Sequence, residues 1–445
     1  MEAQSKLGIL SCTALLVGGL IGSAIFSLSG LTMFMAGPAA ILSWIIGGLI
    51  MMAYGLFMGE LACVFPYSGG VYMFPRLVYG GERGRMLGWL ACWGSILTNI
   101  SAIAFGAIYV GIYLNMAFPK MGNLQVPLAL LSILFCLALN LVRFSTTGKV
   151  NAVIVLVLLA TMGIYVIAAF GTHSYNTQLL KPFFSQGVGG KLGFLSSVPI
   201  AMVGYSAIVA IAFMVSEVRN PRRTVPMSML CAVSIVILAY VLMIVATLGL
   251  VSASELAAKP DIRFVPIFAA ASKLKGLPWL PAVVSLSSVL ALLTTILICI
   301  SMNARAIQAS AQDGILPEFL AKSIGNGEPA AAATLTSLLA ALCACFPQFT
   351  SQIVNFGTLF NVITIAITLF ALIQARRNSM IPQNTFKAPG GKLLPYALLV
   401  ILLLCNAMVL LHSGIAIWIV TAISLAIGLL FLRRPQSHQT ASKNE

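Results

Sequence analysis

Apolar runs of roughly 18 to 30 residues follow one another along the whole 445-residue chain, each long enough to cross a hydrocarbon core about 30 Å thick. Twelve are predicted, at residues 8–33, 38–64, 86–116, 126–143, 150–171, 194–216, 226–251, 279–311, 330–346, 353–375, 394–411 and 414–432. Only 8% of the residues are charged and 60% are hydrophobic. A soluble surface needs about a quarter charged residues, so this chain is expected to dissolve in lipid. Long unbroken runs point to helices and exclude a β-barrel, whose strands would read as alternating segments of about ten residues. The first run begins after Lys6, is too long for a signal-peptide core and ends at no clean cleavage site, so it is expected to stay as a helix.

The formal charge of +15 would suit nucleic acid, but the bases are scattered through separate short loops. With the N-terminus inside, 18 of the 25 Lys and Arg fall on the side of the termini and 7 on the other. That bias predicts a multi-pass protein of a cell membrane (a bacterial inner or plasma membrane) with both termini cytoplasmic. All nine cysteines lie inside or at the edge of predicted helices, which argues against a disulfide framework. Cys343 and Cys345 are too close together, in too apolar a setting, for a zinc site, and neither a metal nor a cofactor is expected. The longest loops, 172–193 and 252–278, are expected to be external, the second with a short amphipathic helix around Ser252 to Ala257. With a polar tail at 433–445 and no long hydrophilic stretch, the reading is one membrane domain over 1–445.

Two runs carry small polar residues at mid-depth. Gly18-Gly19-Leu20-Ile21-Gly22-Ser23-Ala24 places three glycines near the bilayer centre, and in the sixth run Pro199 precedes Gly204-Tyr205-Ser206. Glycine weakens a helix, and proline removes a donor and crowds the preceding turn. Freed backbone groups are tolerated at that depth only where they face protein or a watery cavity. The first and sixth runs open two sets of five, the pattern of inverted repeats with paired discontinuous helices around a substrate site. A half-helix N-terminus suits a carboxylate and freed carbonyls suit an ammonium group. The competing reading is that these glycines only let helices pack closely.

Several separated motifs give the chain a resemblance to a known family. These are Gly19-Leu20-Ile21-Gly22-Ser23-Ala24-Ile25-Phe26, Glu60-Leu61 with Pro66-Tyr67-Ser68-Gly69-Gly70-Val71-Tyr72, Ser216 to Pro226, Arg305 with Asp313-Gly314-Ile315-Leu316-Pro317, Phe356-Gly357-Thr358-Leu359 and Phe386-Lys387-Ala388-Pro389. Over nearly its full length the chain resembles the amino acid-polyamine-organocation (APC) permease superfamily, in its amino acid permease and antiporter branch. The resemblance implies an all-α membrane protein of twelve transmembrane helices. These form a LeuT-type 5+5 inverted repeat, at 1–171 and 194–375, plus two C-terminal helices at 394–432. It also implies that backbone N–H groups of Ile21, Gly22, Ser23 and Ala24 bind a substrate carboxylate. Carbonyls near Leu20 and around Val203, Gly204, Tyr205 and Ser206 would receive the amine. Ala24 stands where the family usually has glycine.

None of the ten acidic residues lies at mid-depth, so a dicationic substrate would lack its counter-ion. By alignment with the family, Val209 replaces the glutamate of polyamine exchangers, Cys299 the tryptophan of arginine exchangers, and Val203 a closing aromatic. Tyr205, Trp89 and Trp93 are candidate walls, although tryptophan also serves simply to pack helices. Glu60 and Glu217 are read as anchoring salt bridges, and Asp313 with Arg305 as loop-capping charges. Leu158 stands where coupled members carry a lysine. Ala291-Leu292-Leu293-Thr294-Thr295 resembles a sodium-site element, with Gly18, Ile21 and Ala291 carbonyls and the Thr294 and Thr295 hydroxyls as ligands. Threonines that bond back to the preceding turn are the other reading.

The expected function is a secondary transporter, permease or exchanger, for a small neutral amino acid, working by alternating access. The expected partners are the substrate, a coupling ion (H+ or Na+), the bilayer and a second copy in a homodimer, with no nucleic acid. The alternatives are a polyamine or cationic amino acid antiporter, or a transporter-like sensor that does not transport. An enzyme is not expected, because no nucleophile, base or metal cluster sits at depth.

Overall fold

The structure is a computed structural model that describes residues 7–65, 71–118, 124–142, 148–184, 186–213, 218–323, 329–382, 384–412 and 414–432. Uniformly apolar stretches become single long helices, because a backbone in lipid must satisfy its own hydrogen bonds. The first crossing is α1 (Ile9–Leu20) and α2 (Ala24–Ala36), and the second is α3 (Ala40–Val64). After the short α4 (Met73–Tyr79) come α5 (Gly81–Ala117), α6 (Gln125–Leu141) and α7 (Gly148–Gly171). The sixth crossing is α8 (Gly193–Val203) followed by a tighter helix over Ser206–Phe213, and the seventh is α9 (Pro221–Leu248). Three short helices, α10 (Ala253–Ala258), α11 (Pro260–Arg263) and α12 (Pro266–Ala271), precede α13 (Leu280–Gln312). The remaining crossings are α14 (Ala330–Ala344), α15 (Thr350–Arg377), α16 (Leu393–His412) and α17 (Ile415–Leu432). The described residues thus make twelve crossings, so that α1 begins and α17 ends on one face of the bundle, the terminal face.

Most crossings agree with the sequence reading to within a few residues. The third starts at Gly81, earlier than the predicted 86, since Gly80 and Gly81 at φ 61° and 48° turn the chain directly into the helix. The expected short helix at Ser252 to Ala257 is α10, whose Ser252 Oγ accepts the Glu255 N–H at 3.1 Å. The proline of the sixth crossing is not the point of rupture, for Pro199 sits inside α8 and the helix ends four residues later.

α5 lies at the centre of the bundle, packed on α13 and α15. Small residues set its approach to α15: a Cβ at Gly94 would lie 2.5 Å from Thr364 Oγ1, and one at Gly357 would lie 2.7 Å from Ser101 Cβ.

Charged and strand-like contacts tie the terminal face together. Glu60, fully buried at the end of α3, takes Arg376 Nε at 2.9 Å and Nη2 at 2.5 Å, and also accepts the Ala388 N–H at 2.8 Å. This is the anchoring salt bridge expected of Glu60; Glu217 lies outside the described residues. Asp313 is held by Arg76 at 3.2 Å and by the hydroxyl of Tyr72. Burial first, and then that hydrogen bond, push the Tyr72 hydroxyl above the usual tyrosine range. Leu7 pairs with Val218 in an isolated parallel bridge, with the Arg219 N–H on the Leu7 carbonyl at 2.9 Å. Asn220, at φ 47°, then turns the chain so that Pro221 can open α9. On the far face, α10 and α11 pack on α2, and the Arg263 guanidinium stacks 3.5 Å from the Phe34 ring centroid.

Candidate functional site

Both interrupted crossings border one cavity of about 110 Å³. In the first, Ile21 leaves the helical region at ψ 71°, its N–H reaching the Val17 carbonyl at 2.7 Å while the Gly22 N–H turns back to Leu20 at 2.8 Å. The Ser23 N–H crosses to Thr295 Oγ1 on α13 at 3.0 Å. In the sixth crossing the Gly204 N–H bonds to Ala201 and the Tyr205 N–H to Met202, three residues back, each at 3.0 Å. That tightening draws the chain out of the α-helix. Glycine is required at the closest approach: a Cβ at Gly204 would lie 2.8 Å from the Trp44 ring and 3.2 Å from Ala24 Cβ.

Of the residues singled out in the sequence, Leu20, Gly22, Ser23, Ala24, Val203, Gly204, Ser206 and Cys299 line the cavity, and so does Val209. Ile21 and Tyr205 are fully buried behind that lining. Tyr205 donates to the Trp44 carbonyl at 3.0 Å and packs on Tyr240, so it supports the wall without forming it. Trp89 and Trp93 are not walls. Their indole N–H groups bond to the carbonyls of Gly428, at 2.6 Å, and Ser424, at 2.8 Å, fastening α17 to α5. Leu158 is buried in α7 outside the cavity.

The carbonyls freed by the two breaks already have partners. Leu20 accepts the Tyr240 hydroxyl, and Val203 accepts Ser206 Oγ at 2.9 Å. Each oxygen has two lone pairs, and the Gly22 N–H takes the second one of Leu20. Tyr240, fully buried on α9 and set edge-on to Trp44 at 5.0 Å between centroids, therefore caps the break from outside the cavity.

The sodium element fits an ion poorly. The hydroxyls of Thr294 and Thr295 both donate to the Ala291 carbonyl, at 2.9 and 3.0 Å, and Thr295 Oγ1 also receives the Ser23 N–H. Both lone pairs of the Ala291 carbonyl are occupied, and its oxygen would have to shed a partner before it could ligate a cation. Gly18 is buried in α1 and takes no part in the cavity lining.

Part of the site escaped the sequence reading. Met51 and Tyr54 from α3, Ser95, Thr98 and Asn99 from α5, and Asn361 and Thr364 from α15 also line it. Ser95, Thr98 and Asn99 sit at helical spacing in an apolar run, and so do Asn361 and Thr364. That periodicity is a signal which a search limited to ionisable groups passes over. Among the described residues, no Asp, Glu, Lys, Arg or His is in the lining.

Twelve crossings with two of them broken about a shared cavity define a polytopic membrane protein of the transporter class. A family model described as amino acid permease matches residues 12–432, and the chain belongs to that family. Among its relatives, an uncharacterised transporter of Mycobacterium tuberculosis is 27% identical over 320 residues, 72% of this chain and 69% of that protein. The branched-chain amino acid permease of Bacillus subtilis is 24% identical over 415 residues, 88% of this chain and 85% of that one. The chloroplastic cationic amino acid transporter 7 of Arabidopsis thaliana is 24% identical over 365 residues, 77% of this chain and 61% of that protein.

Proposed function

We propose that the protein is a secondary transporter of a small neutral amino acid, held in the cavity between the two breaks and moved by alternating access. The repeats at 1–171 and 194–375 rock against each other, with both termini cytoplasmic in a cell membrane. The observation that carries this reading is a cavity set between two broken helices whose lining, among the described residues, has no charged side chain. Such a lining supplies no counter-ion for a second positive charge, which weighs against the cationic substrates named for the Arabidopsis relative. The Ala24 N–H would take the carboxylate and the second lone pair of the Val203 carbonyl the amine. The N–H groups of Ile21, Gly22 and Ser23 and both lone pairs of Leu20 are already engaged. Movement is driven by exchange or by a proton.

The test is counterflow in proteoliposomes. Neutral amino acids are expected to exchange, while putrescine and arginine fail to compete at tenfold excess. Strong competition by either would overturn the neutral-substrate reading, and ligand binding without exchange would mark a sensor.

Tyr240→Phe provides a second check. Removing the hydroxyl from the Leu20 carbonyl is expected to cost about 1 kcal/mol of stability. It also loosens the first break, which borders the cavity, so the substrate Kd should rise severalfold as the melting temperature drops. An unchanged Kd would show that the cap on Leu20 does not shape the binding site.

A further inference from the structure

We propose that the side-chain end of this cavity selects a small amino acid bearing an uncharged hydrogen-bonding group, a hydroxyl or a carboxamide. The inference rests on the amino acid reading given above and adds what the side chain must be.

Three asparagines carry it. Asn303, fully buried on α13, donates Nδ2 to the Ile96 carbonyl at 3.1 Å and accepts Asn99 Nδ2 on its Oδ1 at 2.9 Å. The carbonyl of Ile96 can only accept, so it fixes which end of Asn303 faces it and thereby which end of Asn99 must donate. Asn99 lines the cavity, with its Oδ1 left to accept and the second N–H of its Nδ2 left to donate. From α15, Asn361 lines the same cavity; its Nδ2 is buried and has no hydrogen-bond partner among the described residues.

The neighbouring hydroxyls complete the pattern. The single proton of Thr98 goes to the Gly94 carbonyl at 2.8 Å, with that of Gly357 at 3.2 Å beside it, and the proton of Thr364 lies between the carbonyls of Phe360 and Ala91. Their protons are committed, so both present only lone pairs. The rim therefore offers donors at Asn361 and at the second N–H of Asn99, and acceptors at Asn99 Oδ1, Thr98 and Thr364. A hydroxyl or a carboxamide both donates and accepts, and can meet the two kinds together. An ammonium or guanidinium group only donates and would confront Asn361; a carboxylate only accepts and would confront Asn99 and the threonines. An aliphatic side chain would leave Asn361 unpaired and would displace any water serving it without replacing its bonds. The cavity volume of about 110 Å³ favours the small members of the class.

Isosteric pairs test this in the full-length protein. Threonine and valine match in shape, as do asparagine and leucine, so differences in Kd from ligand-dependent melting report the polar group. Threonine and asparagine are expected to bind at least about tenfold more tightly than valine and leucine. In Asn361→Leu that ratio should fall towards one. Asn361→Ala, which only removes atoms, provides the same comparison if the leucine variant does not fold. Tighter binding of valine and leucine by the wild type, or a ratio that survives loss of the amide, overturns the inference while leaving an amino acid transporter in place. If none of the four binds and no neutral amino acid exchanges, the parent reading falls with it.

Discussion

Glu60→Leu is expected to lower stability by about 3–5 kcal/mol, the range for stripping one partner from a buried ion pair. Glu60 has no solvent exposure, and it holds Arg376 through both carboxylate oxygens. The substitution would strand the guanidinium in a largely buried pocket beside Phe57 and leave the Ala388 N–H without its acceptor. Arg376 would keep its bonds to the Ala388 and Gly391 carbonyls, which orient it without neutralising it. A well-packed apolar pair can replace a buried ion pair at little cost. Glu60→Leu with Arg376→Met is therefore expected to recover much of the loss. Thermal melting of the three purified proteins checks both statements. A single variant that melts with the wild type would mean that the pair is dispensable for stability. A double variant no better than the single would assign the loss to the loop at Ala388 and not to the stranded charge.

How much of this was readable in the sequence depended on how local the signal was. Crossings need only a long apolar run, so they were legible nearly residue by residue. The breaks were legible too, because Gly18-Gly19 and Gly22 crowd into one turn and Gly204 follows a proline. Of the two signals in the sixth run, Pro199 stays inside α8, and the tightening comes from three-residue backbone bonds at Gly204 and Tyr205. Contacts between distant segments were invisible. Tyr240 lies 220 positions from the carbonyl it caps, and nothing near it in sequence marks it. Trp89 looks like a wall on composition alone, and only the position of α17 shows that it is a fastener. The threonines of α13 bond back to Ala291 within their own helix, a local pattern that the sequence admits beside an ion site, whereas the Ser23 N–H that reaches Thr295 comes from a distant segment.

That last contact leads to a second large effect. Gly22→Ala is expected to depress transport by about ten- to a hundredfold, whereas Gly19→Ala, one turn earlier, should leave it within about twofold. Both glycines line the cavity, so exposure to substrate does not separate them. Space does. A Cβ at Gly19 would rest 3.4 Å from Ala207 Cβ, an ordinary contact, but one at Gly22 would come within 2.5 Å of Thr295 Oγ1. That oxygen cannot retreat freely, because it donates to Ala291 and receives Ser23. The methyl must therefore push α13 away from the break, and overpacking of this kind costs about 1–3 kcal/mol. If the displacement is felt where the substrate sits, the same energy appears in the transport barrier at about 1.4 kcal/mol per tenfold. Thr295→Ala removes the obstructing oxygen, so Gly22→Ala with Thr295→Ala should transport better than Gly22→Ala alone, despite the lost cap on Ser23. Initial rates of counterflow, corrected for the amount of folded protein in the vesicles, give all four values. Equal rates for the two glycine variants, or a double variant slower than Gly22→Ala, would show that the approach of α13 to the first break does not control transport.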